Sequence, residues 1–189
     1  MKAVESIQLI ESMILEVKRD FSYNGFHFLL WGWLVMLAAV VNYILLNYVG
    51  YSNHWVGWPI LMSIGGIITV VVTLRDKKSR RAQTILNRVM GQLWLTVIIG
   101  IVVVLFLMPQ IGILNTYPIF VLLYGIGTFA TGRIIKFTPL IIGGALCFVL
   151  AVVSAYQSFS NQLIIIALAI LVSYIIPGHL LYNKYQKNV

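Results

Sequence analysis

Three histidines, His27, His54 and His179, and one cysteine, Cys147, are where metal or nucleophilic chemistry would have to begin in this chain. Their spacing does not assemble a site. A structural zinc site takes four His or Cys ligands, and a catalytic one takes three. His27 and His179 fall at one end of the apolar segments and His54 at the other, with no carboxylate or second thiolate beside any of them. Serine and tyrosine nucleophiles need an activating base within hydrogen-bond reach, and none is apparent. There is no His-Glu-x-x-His, no Gly-x-Ser-x-Gly and no phosphate loop ending in Gly-Lys-Ser/Thr. Gly125-Ile126-Gly127 falls inside an apolar run, away from any strand-to-helix turn. The expectation is a protein without catalytic residues, metal or cofactor.

The polar residues that could act are neutral and lie within apolar segments. Asn42, Thr128, Ser173 and Tyr174 are the candidate lining of a solute site. Their bland alternative is hydrogen bonding between helices, worth on average about 0.6 kcal/mol each. The sequence alone leaves both open.

What must position these residues is set by composition. Of 189 residues, 60% are hydrophobic and 10% charged, with a mean hydropathy of +0.94. Soluble domains carry about a quarter charged residues, so the chain belongs to the membrane class. The formal charge of +8 does not indicate nucleic acid, because a soluble nucleic-acid binder needs a polar folded surface. Asp, Glu, Lys and Arg are absent from 21–74, 89–132 and 137–183. A helix needs about 20 apolar residues to cross a bilayer, so each block holds two crossings and a turn. The turns are GYSNHWVGWP (Gly50–Pro59), MPQIGILNTYP (Met108–Pro118) and YQSFSNQ (Tyr156–Gln162), all carrying helix punctuation. The expected spans are 25–48, 57–75, 90–112, 117–135, 139–156 and 162–182.

The charge partition orients them. All thirteen Lys and Arg residues lie before span one, between spans two and three, between four and five, or after six. Six of the thirteen crowd RDKKSRRAQTILNR: Arg75, Lys77, Lys78, Arg80, Arg81 and Arg88. Basic residues near span ends are retained in the cytoplasm, which predicts both termini inside. The same loop is the expected contact for anionic lipid, at about 1 kcal/mol per basic residue, or for a cytoplasmic protein partner.

The fold expected is an all-α membrane protein: a six-helix bundle, residues 23–189, behind a cytoplasmic amphipathic helix in residues 1–22. In that first segment Val4, Ile7, Ile10, Ile14, Val17 and Phe21 share one side, and Glu5, Gln8, Ser12, Glu16 and Arg19 the other, with Leu9 the exception on the polar side. An acidic polar face is repelled by anionic lipid, so it is expected to contact protein, including a second copy of the chain. Small residues recur four apart at Gly65, Thr69 and Thr73, at Thr128 and Gly132, and at Gly143, Cys147, Ala151 and Ala155. Such stripes mark helix contacts in lipid. Trp58-Pro59-Ile60 with Gly66 and Thr69 is matched at equal offsets by Tyr117-Pro118-Ile119 with Gly125 and Thr128. Leu30-Trp31 and Leu93-Trp94 precede them, which suggests repeated helical hairpins. Pro177 and Gly178 near the end of span six are a candidate hinge or stop.

ESIQLIESMI (Glu5–Ile14), followed by LLWGW (Leu29–Trp33), resembles a group of small bacterial inner-membrane proteins to which no activity is attached. The resemblance implies a bacterial plasma-membrane location and a cytoplasmic N-terminal helix. Together these features predict an accessory, sensory or scaffolding protein acting through its basic cytoplasmic face. The alternative is a small-solute transporter or channel with a neutral polar site at the midplane.

Overall fold

In lipid every backbone N–H and C=O must be satisfied by the protein itself, so an open spanning structure resolves into helices. A computed structural model describes residues 25–79 and 85–186. Helix makes up 93% of these, and no strand occurs among them. Six helices are long and apolar enough to cross a membrane: Gly25–Val49, His54–Arg75, Arg88–Ile111, Ile113–Ile134, Thr138–Ala155 and Phe159–Asn183. The segment expected to form the amphipathic helix, 1–22, lies outside the described residues.

We label the elements α1 (Gly25–Val49), α2 (Gly57–Ser79), α3 (Ile85–Ile111), α4 (Ile113–Ile134), α5 (Thr138–Ala155), α6 (Phe159–Ile170) and α7 (Ile176–Gln186). Helices α6 and α7 form one span, joined by a π-helical turn, Leu171–Ile175. Short ties connect the rest. A π-turn, Leu45–Val49, ends α1 at left-handed Gly50, and a 3₁₀ turn, His54–Val56, opens into α2. The break between α3 and α4 is one residue, Gly112, at φ 80° and ψ 155°, a backbone region that residues with a Cβ avoid. Side chains add donors to the carbonyls there. Asn115 Nδ2 donates to Ile111 O at 2.6 Å, and Thr116 Oγ1 to Gly112 O at 2.8 Å.

The core is the α4–α5 pair with the last span against both. Half of the apolar window of span six is buried, but only 11% of spans two and three. Helix α1 packs along α7, α2 on α1, and α3 on α4. Leu140, Leu163, Ile166, Ile170 and Leu181 fill the interior. Ile67, Phe106, Val149 and Val152 are among the apolar side chains left outside, as a lipid-facing surface requires.

Close approach is made by glycine. A Cβ on Gly144 would meet the Phe129 backbone nitrogen at 2.5 Å, and one on Gly132 the Ile141 nitrogen at 2.7 Å. One on Gly143 would stand 2.6 Å from Val172 O. Val172 lies in the π-turn that precedes Pro177. Proline has no N–H to donate, so a carbonyl in the preceding turn loses its intrahelical partner. Ile176 N–H reaches back to Leu171 O, and Val172 O is left pointing at the Gly143 backbone. The chain therefore does not stop at Pro177; it passes through it into α7. Pro177 and Gly178 are both buried, and a Cβ on Gly178 would touch Leu29 at 3.2 Å and Phe28 at 3.3 Å.

Overpacking of this kind costs about 1–3 kcal/mol. Gly143→Val and Gly144→Val are expected to lose that much stability in detergent unfolding. Gly66→Ala, with nothing within 4 Å of its Cβ position, should stay close to wild type.

Candidate functional site

The four candidate lining residues are all buried, but they do not meet. Asn42 joins a cluster near the end of the bundle that carries no Lys or Arg. Thr128, Ser173 and Tyr174 gather deeper, toward the basic end. Tyr117, which contacts Asn42, and Thr128 share α4, so the two groups stand about 16 Å apart at 1.5 Å per residue.

Asn42 reaches the first cluster from α1. His54 Nδ1 lies 2.7 Å from Asn42 Oδ1, and Asn42 Nδ2 lies 3.4 Å from the Tyr117 hydroxyl. With its amide turned over, Asn42 donates to His54 Nδ1 at 2.7 Å and to His54 O at 3.2 Å, and accepts from Trp58 Nε1 at 2.9 Å. Aromatic rings close the group. Trp58 meets Tyr117 edge-on at 6.0 Å, Tyr117 meets Phe159 at 5.2 Å, and His54 meets Phe159 at 5.8 Å. Spans one, two and four thus converge on one amide, and span six covers its partners through Phe159. At the rim, Ser160 donates to Asn47 Oδ1 at 2.9 Å, while Asn47 Nδ2 donates back to Tyr43 O.

Trp58 and Tyr117 are the matched positions of the proposed hairpin repeat, and they pack on each other. At the other end Trp31 Nε1 donates to Thr69 Oγ1 at 3.1 Å. Its counterpart Trp94 lies over Gly127 and turns its edge to Phe28 and Tyr174. The counterpart of Thr69, Thr128, has no hydrogen-bond partner for its Oγ1. The two hairpins share placement, but not this bond.

The second group contains Thr128, Ser173, Tyr174, Tyr124 and Cys147. Ser173 Oγ donates to Ala169 O at 2.6 Å, and Cys147 Sγ sits 3.7 Å from the same carbonyl. Tyr174 has its hydroxyl beside Thr128, at less than hydrogen-bonding quality. Its ring meets Phe28, Trp94 and Tyr124 at 5.2–5.9 Å. Tyr174 OH, Thr128 Oγ1 and Thr131 Oγ1 are buried without a bonding partner.

Gln162 is the polar residue that the sequence reading did not single out. It is fully buried. Its Nε2 donates to Leu114 O at 2.8 Å and to Ser154 O at 3.0 Å. Leu114 O stands four residues before Pro118, which cannot donate to it. Ser154 O, near the end of α5, also accepts the Gln157 backbone N–H at 3.1 Å. One amide thus ties α4, α5 and α6, and supplies the donor that the α4 helix cannot give to Leu114 O. The available signal was Pro118, which implied an unpaired carbonyl at 114, but nothing in the sequence named its donor.

Among the described residues, no three His, Cys, Asp or Glu side chains gather to hold a metal. A shallow apolar groove of about 410 Å³ runs between α1 and α7 near the basic end, lined by Phe26, Leu29, Leu30, Trp33, Leu34 and Tyr182. None of the four candidate lining residues borders it. Arg75 and Arg88 are exposed, as are Arg133 and Lys136. Arg80 and Arg81 lie outside the described residues, and Lys77 and Lys78 lie on the last turns of α2. Compared with protein-family models, curated proteins and solved structures, the chain matches none.

Removing the Gln162 amide strands the Leu114 carbonyl, at about 1–3 kcal/mol. Gln162→Leu is expected to lose that much in detergent unfolding. In a Pro118→Ala background residue 118 regains an N–H for Leu114 O, so the same substitution should cost measurably less. Equal costs in both backgrounds would refute the carbonyl assignment.

Proposed function

We propose that this chain is a multi-pass protein of the bacterial inner membrane with both termini cytoplasmic. It is non-catalytic and serves an accessory, sensory or scaffolding role through its basic cytoplasmic face. The observation that carries this reading is the distribution of charge over the helix ends. Arg75 closes span two, Arg88 opens span three, Arg133 closes span four and Lys136 precedes span five, all four exposed. The opposite ends carry no Lys or Arg. Retention of basic residues on the cytoplasmic side then sets the orientation. Anionic lipid headgroups and an acidic protein surface, including the acidic side of residues 1–22 in a second copy, are the partners that suit this face.

The interior supports a packed rather than a conducting protein. Asn42, Gln162, Ser173 and Trp31 each engage a neighbouring side chain or carbonyl, and the residues chosen as solute lining divide into two groups. The second reading, a carrier or channel for a small neutral solute, is favoured by the buried unpaired hydroxyls of Thr128, Thr131 and Tyr174 beside the π-turn. Such turns inside helices are frequent at functional sites.

Two measurements test the first reading. A fluorescent-protein fusion after Lys187 should fluoresce and an alkaline phosphatase fusion there should be inactive; the reverse pattern overturns the orientation. Photo-crosslinking amino acids at 75 and 88 should yield a discrete adduct with a protein partner or a second copy in native membranes. Adducts to lipid alone, together with solute uptake lost in Thr128→Val, would favour the carrier.

A further inference from the structure

The Asn42 cluster sets one imidazole, His54, beside an amide that can be seated either way round. Neutral imidazole carries one N–H and one lone pair, whereas imidazolium carries two N–H groups. When Nδ1 of His54 has its lone pair, the amide is satisfied at both ends only with Nδ2 toward His54 and Oδ1 toward Trp58 Nε1. When Nδ1 carries a proton, that arrangement opposes two donors at 2.7 Å. The amide must then present Oδ1 to His54, the contact seen at 2.7 Å in its other orientation. That seat turns the NH₂ group toward the Trp58 indole N–H and sets Oδ1 against His54 O, so the bonds of Asn42 to Trp58 and to His54 O are both lost.

We propose that Asn42 and His54 form a protonation-driven latch: charging His54 turns the Asn42 amide over and releases the Trp58 indole, loosening α1 from the start of α2. The groups facing His54 leave it the one charge-changing member. From α1 it meets Asn42; in its own turn, the carbonyl of Tyr51 accepts its backbone N–H at 3.1 Å. From α2 comes Trp58, from α4 Tyr117 and from α6 Phe159. No Asp, Glu, Lys or Arg occurs in 21–74, 89–132 or 137–183, which contain every one of these residues. The titratable neighbours are therefore the phenols of Tyr51 and Tyr117. Histidine changes charge between about pH 5 and 8, a range in which phenols, ordinarily near 10, stay neutral. His54 is half-buried beside exposed Asn53 and Trp55, so protons reach its turn from the uncharged face. That this face looks outward, making the latch a sensor of external acidity, rests on the orientation proposed above.

The test is side-chain NMR of the full ¹⁵N-labelled chain in lipid nanodiscs. The Trp58 indole N–H is assigned by its loss in Trp58→Phe, and pH is lowered from about 8 to 5 across the histidine range. The Trp58 resonance should move with the same midpoint as the His54 ring nitrogens while the other indoles hold still. The movement should vanish in His54→Gln, which cannot gain a proton. A Trp58 signal that stays fixed while His54 titrates overturns the latch, as does a shift that survives in His54→Gln or a His54 that keeps one charge state throughout. If His54→Gln does not fold, comparison of the two wild-type midpoints decides alone. Orientation is read separately by labelling Asn53→Cys in intact cells with an impermeant thiol reagent. Labelling supports an outward-facing latch, and protection overturns the external-sensor claim while leaving the NMR result to judge the switch.

Discussion

A backbone carbonyl without a donor has no water to turn to inside a bilayer, and this constraint organises the centre of the bundle. Prolines create the problem twice. Pro118 deprives Leu114 O of its helical partner, and the side chain of Gln162 crosses from α6 to supply one. Pro177 removes a donor from span six; the chain widens into a π-turn, and Val172 O comes within 2.6 Å of where a Cβ on Gly143 would stand. Neither solution is local. Each forces a second helix to approach with a particular residue: a long amide in one case, a missing side chain in the other. The α4–α5–α6 core is the place where both are met. A Cβ at Gly143 would exclude the carbonyl, and an apolar residue at 162 would strand Leu114 O.

The six helices were legible because charge is so unevenly spread. Uncharged blocks long enough for two crossings dictate the hairpins, and Asn, Gly and Ser mark their turns. The small-residue stripes were equally readable: Gly65 lies under Trp31, Gly132 against Ile141, and Gly143 and Cys147 face the last span. Ala155, at the end of its stripe, is exposed. Proline was the least readable signal. Its local meaning, a missing N–H, is plain at Pro177, but whether a helix ends there depends on what its neighbours offer. A buried π-turn and a glycine across the interface let α7 continue. The same limit applies to Gln162, whose role depends on carbonyls 48 residues away in one case and 8 in the other.

The candidate solute residues show why burial and polarity do not amount to a site. Asn42 and Tyr174 each look conspicuous within apolar sequence, and each is indeed buried. They sit at different depths, and Asn42 is engaged by side chains from two other spans. The hydroxyls near the π-turn differ: Thr128, Thr131 and Tyr174 have no partner. Buried orphans are costly, at roughly 1–3 kcal/mol each; Ser154 Oγ and Gln162 Oε1 are others at the far end, and it is Thr128 with Tyr174 in the π-turn that supports the carrier reading.

Placement of the Asn42 cluster also bears on how the two hairpins work together. Trp58 and Tyr117 open α2 and α4, the descending arms of the matched hairpins, and they meet edge-to-face over the same amide. The ascending arm α1 supplies that amide, and α6 closes the group through Phe159. A change of hydrogen-bond direction at Asn42 is therefore felt by both hairpins at once. Spans two and three, the least buried of the six, are free to respond because few interior contacts hold them. They also carry the two ends of the basic segment, Arg75 and Arg88.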